Sequence, residues 1–297
     1  MTKVSFIMPA WKVLFLHSAI ESILRQTYRD IELVVVDDCS PQDIKSIVDS
    51  FGDPRISYRR NEVNIGGRNL VEQWNHCIKY AAGEFIVLAS DDDTYSPDYC
   101  ETCVRLAEKY PDVDIIRSAV EQIDGKGNHL WDDSILKEYT SRDEFIRNWF
   151  DNKAFTCIGN YMFRRKALEE IGGFISFPCA FGSDIATPFA LAWNGVANTQ
   201  KMLFQFRQTD IHLSSDASKF PEKLEAISQL TEWFMNPDNN IPVSRDFLHR
   251  RCLFDYFNLV IRHLPMDKIG YLKYCRLASA PEKAMMSLRW IKTRITK

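Results

Sequence analysis

Three consecutive carboxylates, Asp91, Asp92 and Asp93, follow an apolar run in the segment FIVLASDDDTYSP at 85–97. The run has the length and composition of a buried parallel strand, so the acids arrive together at one edge of a sheet. Carboxylates that close repel one another, and one or more takes up a proton unless a cation or a partner group compensates. A hard divalent cation, Mg²⁺ or Mn²⁺, suits such oxygen ligands. Mg²⁺ is commonly held by one or two carboxylates, with substrate phosphates and water in its other positions. The same residue types also form a solvated turn that caps the helix expected from about Pro97, and composition alone leaves both readings open.

Two earlier segments must help to position these acids. Residues 4–9, VSFIMP, and 31–38, IELVVVDD, are apolar strand-like runs broken by Pro9 and by Asp37 with Asp38, and each precedes a helix-like stretch. Alternating strand and helix predicts a parallel α/β sheet. In open sheets of that kind, ligands bind outside the carboxyl ends of the strands, where Pro9, Asp37, Asp38 and Asp91 to Asp93 all emerge. Three sequence-distant strand ends are therefore expected to line one crevice.

Composition narrows the function class. The 297 residues, 45% hydrophobic, are enough for a sizeable core as one large α/β domain, alone or with a smaller appendage. The 37 basic and 40 acidic side chains nearly cancel to −3, which gives no electrostatic footprint for nucleic acid. No run is long and apolar enough to span a bilayer, and MTKVSFIMP enters a strand pattern without a secretion signal, so a cytoplasmic protein is expected. Eight cysteines are scattered, and only Cys100 and Cys103 make a C-x-x-C, without a second pair at zinc spacing. Free buried thiols are the expectation. A Walker loop and a G-x-G-x-x-G are both missing, which leaves an ordinary kinase or dehydrogenase without support.

The ordered set VSFIMPAWK, QTYRDIELVVVDDCSPQ, NEVNIGGRN and AAGEFIVLASDDDTYSPD resembles the nucleotide-sugar half of the family 2 glycosyltransferases. The resemblance covers roughly the first hundred residues and continues more weakly to about residue 215. NYMFRRKALEEIGGF at 160–174 and FGSDIATPFALAWNG at 181–195 are similar to that family's acceptor half. It implies a nucleotide-diphospho-sugar transferase fold of the A type: a single, mostly parallel central sheet flanked by helices, with a C-terminal helical appendage. The expected division is a transferase domain over 1–215, with nucleotide half 1–105 and acceptor half 106–215, and a helical region over 216–297. In that last region KLEAISQLTEWF, SRDFLHRRCLFDYFNLVIRHL and KIGYLKYCRLA show helical apolar spacing, separated by turn signals at PDNNIP and LPMDK.

The resemblance also implies roles. Departure of a nucleoside diphosphate from a sugar's anomeric carbon develops charge that a divalent cation stabilises as a Lewis acid. Asp92 is the implied metal ligand, while Asp91 faces the ribose or the metal's water shell and Asp93 is alternatively the helix cap. The family's common D-x-D would put its first acid at position 90, where this chain has Ser90. Backbone at Pro9, Ala10 and Trp11 meets the base edge, Trp11 with the option of stacking. Asp37 or Asp38 accepts the uracil imide N–H, and Arg68 pairs with the uracil edge or the diphosphate, to which its fork of donors is suited. Arg207 contacts the diphosphate. The position that often carries a metal-binding His holds Thr209, and His212, three residues on, is left outside the metal set.

The attacking acceptor hydroxyl needs a base. Asp184 is the implied base, in a family E-D pair whose Glu is replaced by Ser183; an N-cap role is the alternative for either residue. A single displacement with inversion is what the resemblance implies. The expected function is thus a metal-dependent inverting transfer from a UDP-sugar to a glycan or lipid-linked acceptor in surface polysaccharide synthesis. Two readings stand beside it: a sugar-nucleotide pyrophosphorylase, which lacks here its basic glycine-rich opening loop, and a non-catalytic relative that binds nucleotide or glycan, prompted by Ser90 and Ser183. Aromatics such as Trp131, Trp149, Phe155, Tyr161, Phe177 and Phe181 supply either core or a sugar platform. After Glu282 the tail carries Lys283, Arg289, Lys292, Arg294 and Lys297 among Met285, Met286, Leu288, Trp290 and Ile291. That pattern fits either a solvated helix or a peripheral contact with the inner membrane face, where each cation near an anionic surface adds about 1 kcal/mol.

Overall fold

Four neighbouring parallel strands bring their carboxyl ends to one edge of the sheet. The structure is a computed structural model and describes residues 3–209, 216–263 and 275–295. Its strands are β1 (Val4–Ala10), β2 (Ile31–Asp37), β3 (Ile56–Arg60), β4 (Phe85–Leu88), β5 (Thr94–Tyr95), β6 (Ile115–Ile123), β7 (His129–Asp132), β8 (Tyr139–Thr140), β9 (Tyr161–Arg164) and β10 (Val196–Arg207). The helices are α1 (Leu16–Leu24), α2 (Ile44–Ser50), α3 (Leu70–Cys77), α4 (Tyr99–Lys109), α5 (Arg142–Phe150), α6 (Arg165–Glu170), α7 (Ser183–Leu191), α8 (Phe220–Met235), α9 (Arg245–His263) and α10 (Ala280–Ile295). The sheet order is β3-β2-β1-β4-β9-β6-β10-β5, with β7 added to β6 and β8 to β10. Pairs β3-β2, β2-β1, β1-β4 and β6-β10 are parallel, and β9 runs antiparallel between β4 and β6. This is the α/β fold with a mostly parallel central sheet that the sequence predicts.

Pro9 does not break β1. The strand runs through it to Ala10, paired with β2 from Val4↔Ile31 to Ala10↔Asp37. On the other side, pairing with β4 ends at Ile7↔Leu88, so the missing amide of Pro9 falls where the ladder has stopped. The acids of 91–93 do not cap α4 either. That helix starts at Tyr99 behind Asp98, and β5 intervenes.

Burial explains the layering. Helix α1 turns Leu16, Ala19, Ile20 and Ile23 inward, the i, i+3, i+4, i+7 stripe of an amphipathic helix, into a core with Phe6, Val35, Val87, Tyr95 and Phe204. Each fully buried Leu, Ile or Phe there contributes about 1.5–3 kcal/mol. Buried Gln26 then holds the segment that leaves the acids: Nε2 donates to the Ser96 carbonyl at 2.8 Å, and Oε1 accepts from the Cys100 amide at 2.8 Å. Cys100 and Cys103 are both core residues of α4, and burial pushes their thiols up.

The chain divides into two units, Met1–Ser176 with Ser183–Thr209, and Phe177–Gly182 with Asp210–Lys297. The second has its own core of Phe220, Leu224, Tyr256, Met286 and Trp290. Helix α8 opens with Pro221 in its first turn, where proline's fixed φ suits a helix start. The segment KIGYLKYCRLA lies mostly outside the described residues. Among the described residues, no helix is long and apolar enough to cross a membrane.

Candidate active site

The acid run emerges from β4 beside the end of β1, and each of its three carboxylates has a different set of partners. Asp91 Oδ2 accepts the amides of Trp11 and Lys12, both at 2.8 Å. Burial, then the charge of Asp92, pushes its carboxyl up to about 6 against those two N–H groups. Asp92 is 7% exposed; Oδ1 accepts the Ser90 hydroxyl, and Oδ2 has no hydrogen bond among the described residues. Ser90 thus supports Asp92 from the position where the resemblance puts the family's first acid. Asp93 Oδ1 accepts the Arg207 amide at 2.8 Å, and burial, then Asp92, holds its carboxyl well above the usual range.

Arg207 ends β10 directly against this run. Its Nε donates to the Asp92 carbonyl at 2.8 Å and Nη1 to the Asp124 carbonyl at 3.1 Å, while the guanidinium lies 4.5 Å from the Phe15 ring centroid. It is 7% exposed, and Nη2 has no hydrogen bond among the described residues. Three crowded acids with an unengaged oxygen on the middle one form an all-oxygen donor set. Mg²⁺ or Mn²⁺ would fit such a set, with Asp92 the carboxylate placed to hold it, and its charge would offset the repulsion among the three.

Asp37 and Asp38 end β2 with different duties. Asp37 is fully buried: Oδ1 accepts the Ser40 amide at 2.8 Å, and Oδ2 accepts the Tyr58 hydroxyl at 2.7 Å and an ion pair from Arg60. Asp38 Oδ1 accepts from Asn61 Nδ2 at 2.7 Å and the Ile65 amide at 2.9 Å, and Oδ2 from the Gly66 amide at 2.7 Å. The Asn64–Arg68 loop therefore rests on Asp38, and a Cβ on Gly66 would meet Oδ2 at 2.8 Å. Asn69 ends the loop by capping α3, accepting the amides of Val71 and Glu72. Arg68 is exposed, with no ion-pair partner among the described residues. Pro9 is half-buried and Ala10 fully buried, its carbonyl accepting the Asp38 amide at 3.0 Å. Trp11 is 38% exposed.

Asp184 sits half-buried in the first turn of α7, beside fully buried Ser183. Pro188, inside the same helix, has no N–H to offer the Asp184 carbonyl four residues back. The GGF turn leads toward this helix. Gly172 and Gly173 both have positive φ, and a Cβ on Gly173 would collide with the Asn75 amide, which pairs with the backbone of Phe174 at 2.8 and 3.0 Å. Cys157 joins the two acid sites: burial raises its thiol, and the nearby charges of Asp93 and then Asp184 raise it further.

Arg117 and Asp133 carry no sequence expectation. Arg117, on β6, is fully buried and ion-paired with buried Asp133, and its Nη2 also donates to the Phe155 carbonyl at 3.1 Å. Arg117 Nε and Nη1, Tyr161 Oη and Ser183 Oγ are buried without hydrogen-bond partners among the described residues. Burial raises the Tyr161 phenol, with Arg117 pulling it down and Asp184 among the charges pushing it up. An arginine inside the apolar run DIIRSAV was the available signal. Tyr161 is fully buried and so belongs to the core, whereas Trp131 is 43% exposed and meets Phe155 edge-on at 5.8 Å. Thr209 closes a described stretch, and His212 lies outside the described residues.

The family model described as glycosyl transferase family 2 matches residues 5–172. The Bacillus subtilis (strain 168) protein EpsH, a glycosyltransferase by name, is 28% identical over 222 residues, covering 71% of this chain and 61% of that one. The Campylobacter jejuni GalNAc(5)-diNAcBac-PP-undecaprenol beta-1,3-glucosyltransferase is 29% identical over 180 residues, covering 57% of this chain and 56% of its own. The chain thus spans less than two thirds of the length of these relatives. Among solved structures, S. aureus TarS 1-349 in complex with UDP-GlcNAc superposes with a TM-score of 0.70 at 16% identity, covering 91% of this chain and 79% of that one, a likeness of fold.

Proposed function

Because the chain belongs to glycosyl transferase family 2, we propose that it is a metal-dependent inverting glycosyltransferase that moves a sugar from a UDP-sugar to a glycan or lipid-linked acceptor in surface polysaccharide synthesis. Residues 1–215 form its transferase domain. The observation that carries the reading is the acid run, in which Asp92 keeps an unengaged oxygen between two carboxyls that burial and the charge of Asp92 push up. The UDP complexes of a protein with the same fold, and a relative named for an undecaprenol-linked substrate, support the choice of donor and acceptor.

Asp92 would hold the cation, which supplies Lewis-acid stabilisation to the departing diphosphate when bound. Asp91 fixes the backbone of Trp11 and Lys12 at the base side and faces the ribose. Asp38, through the loop it carries, sets the uracil edge against Arg68, while Asp37 braces β2 and β3 from within. Arg207 holds the acid run in shape and has one nitrogen left for the diphosphate. Asp184 takes the proton of the acceptor hydroxyl as that oxygen bonds the anomeric carbon; the bond from that carbon to the nucleoside diphosphate breaks, its electron pair leaving with the diphosphate, and the proton stays on the Asp184 carboxyl until it passes to solvent. Nucleotide release from a panel of nucleotide-sugars tests the proposal. UDP-sugars are expected to turn over with Mn²⁺ or Mg²⁺ and to stop with EDTA; turnover indifferent to EDTA, or confined to other nucleotides, would sink it.

Membrane contact belongs to the same reading. Helix α10 buries Met286 and Trp290 and exposes Met285 (54%), Leu288 (69%) and Ile291 (41%) beside exposed Arg289 and Lys292. An apolar stripe flanked by cations suits an anionic leaflet. Co-sedimentation is expected with vesicles containing phosphatidylglycerol and not with phosphatidylcholine alone, and a Met285→Ser, Leu288→Ser pair is expected to weaken it about tenfold or more. Equal binding to both vesicle types would exclude the contact.

A further inference from the structure

A second cluster of metal-ligating side chains lies on the hairpin of β6 and β7 and shares no residue with the acid run. Glu121 and Asp132 are direct partners across this antiparallel pair. Like charges placed opposite one another destabilise a sheet unless something lies between them. His129 stands against this pair. Its Nε2 is 2.8 Å from Asp132 Oδ1, and one ligand atom from each of Glu121, His129 and Asp132 falls within 4.8 Å of the others.

The histidine reaches that face because the strand is irregular. Side chains alternate faces along a strand, so His129, three residues before Asp132, would normally point away from it. Register shifts between Gln122 and Ile123: Gln122 pairs with Trp131, and Ile123 pairs with His129, with Leu130 passed over. Ile123 is two residues from Glu121 and shares its face, so the bulge brings His129 round to both carboxylates. Re-aiming one side chain is a characteristic use of a bulge.

Glu121 is oriented from behind. Gln205 Nε2 donates to Glu121 Oε2 at 2.8 Å, and the Thr94 hydroxyl donates to Gln205 Oε1 at 2.7 Å, which fixes which end of the amide faces the carboxylate. Support of this kind around a ligating carboxylate is usual at metal centres.

We propose that Glu121, His129 and Asp132 bind a divalent transition-metal ion, Zn²⁺ or Mn²⁺, at a site separate from Asp92. One imidazole with two carboxylates matches those ions better than Ca²⁺ or Mg²⁺, which favour oxygen alone. Zinc bonds to nitrogen and oxygen are about 2.0–2.2 Å long, so two ligands of one ion stand at most about 4.4 Å apart. The observed 4.8 Å limit closes to that by turning side chains, two of which are exposed. Water completes the shell on the open side. A bound ion would cancel the cross-strand repulsion and pin β7, with Trp131, to β6.

The test titrates the full chain with MnCl₂ followed by electron paramagnetic resonance, and with ZnCl₂ by calorimetry, both without nucleotide. The native chain, His129→Ala, Asp132→Asn and Asp92→Asn are compared after circular dichroism confirms that each is folded. Binding by the native chain, weakened about tenfold or more in His129→Ala and in Asp132→Asn and retained in Asp92→Asn, is the expected pattern. Absence of nucleotide-independent binding overturns the proposal. Binding unchanged in both hairpin variants, or lost in Asp92→Asn, overturns it equally. None of these outcomes bears on donor turnover, so the proposed transferase activity stands or falls separately.

Discussion

Replacing Asp92 by Asn is expected to abolish metal-dependent UDP binding and to lower transfer by about 10²–10³-fold, the effect of removing several kcal/mol of charge stabilisation from the departing diphosphate. The substitution keeps shape and the Ser90 hydrogen bond while removing the charge that, after burial, raises both Asp91 and Asp93. The scaffold is expected to persist, since the Trp11 and Lys12 amides are held by Asp91 and the Arg207 amide by Asp93. Calorimetry with UDP and Mn²⁺ on the native chain and the variant separates ligand loss from unfolding. UDP affinity that is equal in the two proteins, or equal with and without Mn²⁺, would remove Asp92 as the metal ligand.

Asp184→Asn is expected to do the opposite to the two readouts. Donor affinity should stay within about twofold of native, because no donor contact is assigned to this residue, and transfer should fall by about 10²–10⁴-fold, the usual contribution of a positioned base. Asparagine retains the side-chain size at the start of α7 and a hydrogen-bonding oxygen, so the helix start is preserved. Measuring UDP affinity alongside single-turnover transfer makes the distinction. Native turnover in the variant would show that another group takes the acceptor proton. A parallel fall in UDP affinity would show that Asp184 acts through the donor pocket.

The sheet ends were legible because their signals are local. Past Glu32, β2 is an apolar run that finishes in Asp37, and β4 is an apolar run whose exit reaches Asp91 within three residues; burial on both faces there leaves little alternation. The helical assignments for α8 and α9 rested on spacing of the same kind. What sequence could not reveal was pairing between distant positions: the Asp93 carboxylate meets an amide 114 residues away at Arg207, and Arg117 meets Asp133 through the fold of β6 and β7. Pro9 misled because its penalty depends on which neighbour reaches it, and β4 stops short. Asp37 and Asp38 were adjacent acids of one type in the sequence; only the side-chain alternation of a real strand end sends the first inward to Arg60 and the second to the Gly66 loop. The turn of His129 had no signal at all, since a one-residue bulge leaves composition and spacing unchanged.

Asp91 has a mechanical consequence. A single carboxylate anchors two successive amides of the chain leaving β1, and it is itself the first acid of the chain leaving β4. The two strand exits consequently travel as one jaw, and displacement of either drags the other with it. A change of donor preference in this scaffold therefore proceeds by exchanging side chains on a fixed frame, because sliding one exit past the other would tear both anchors at once.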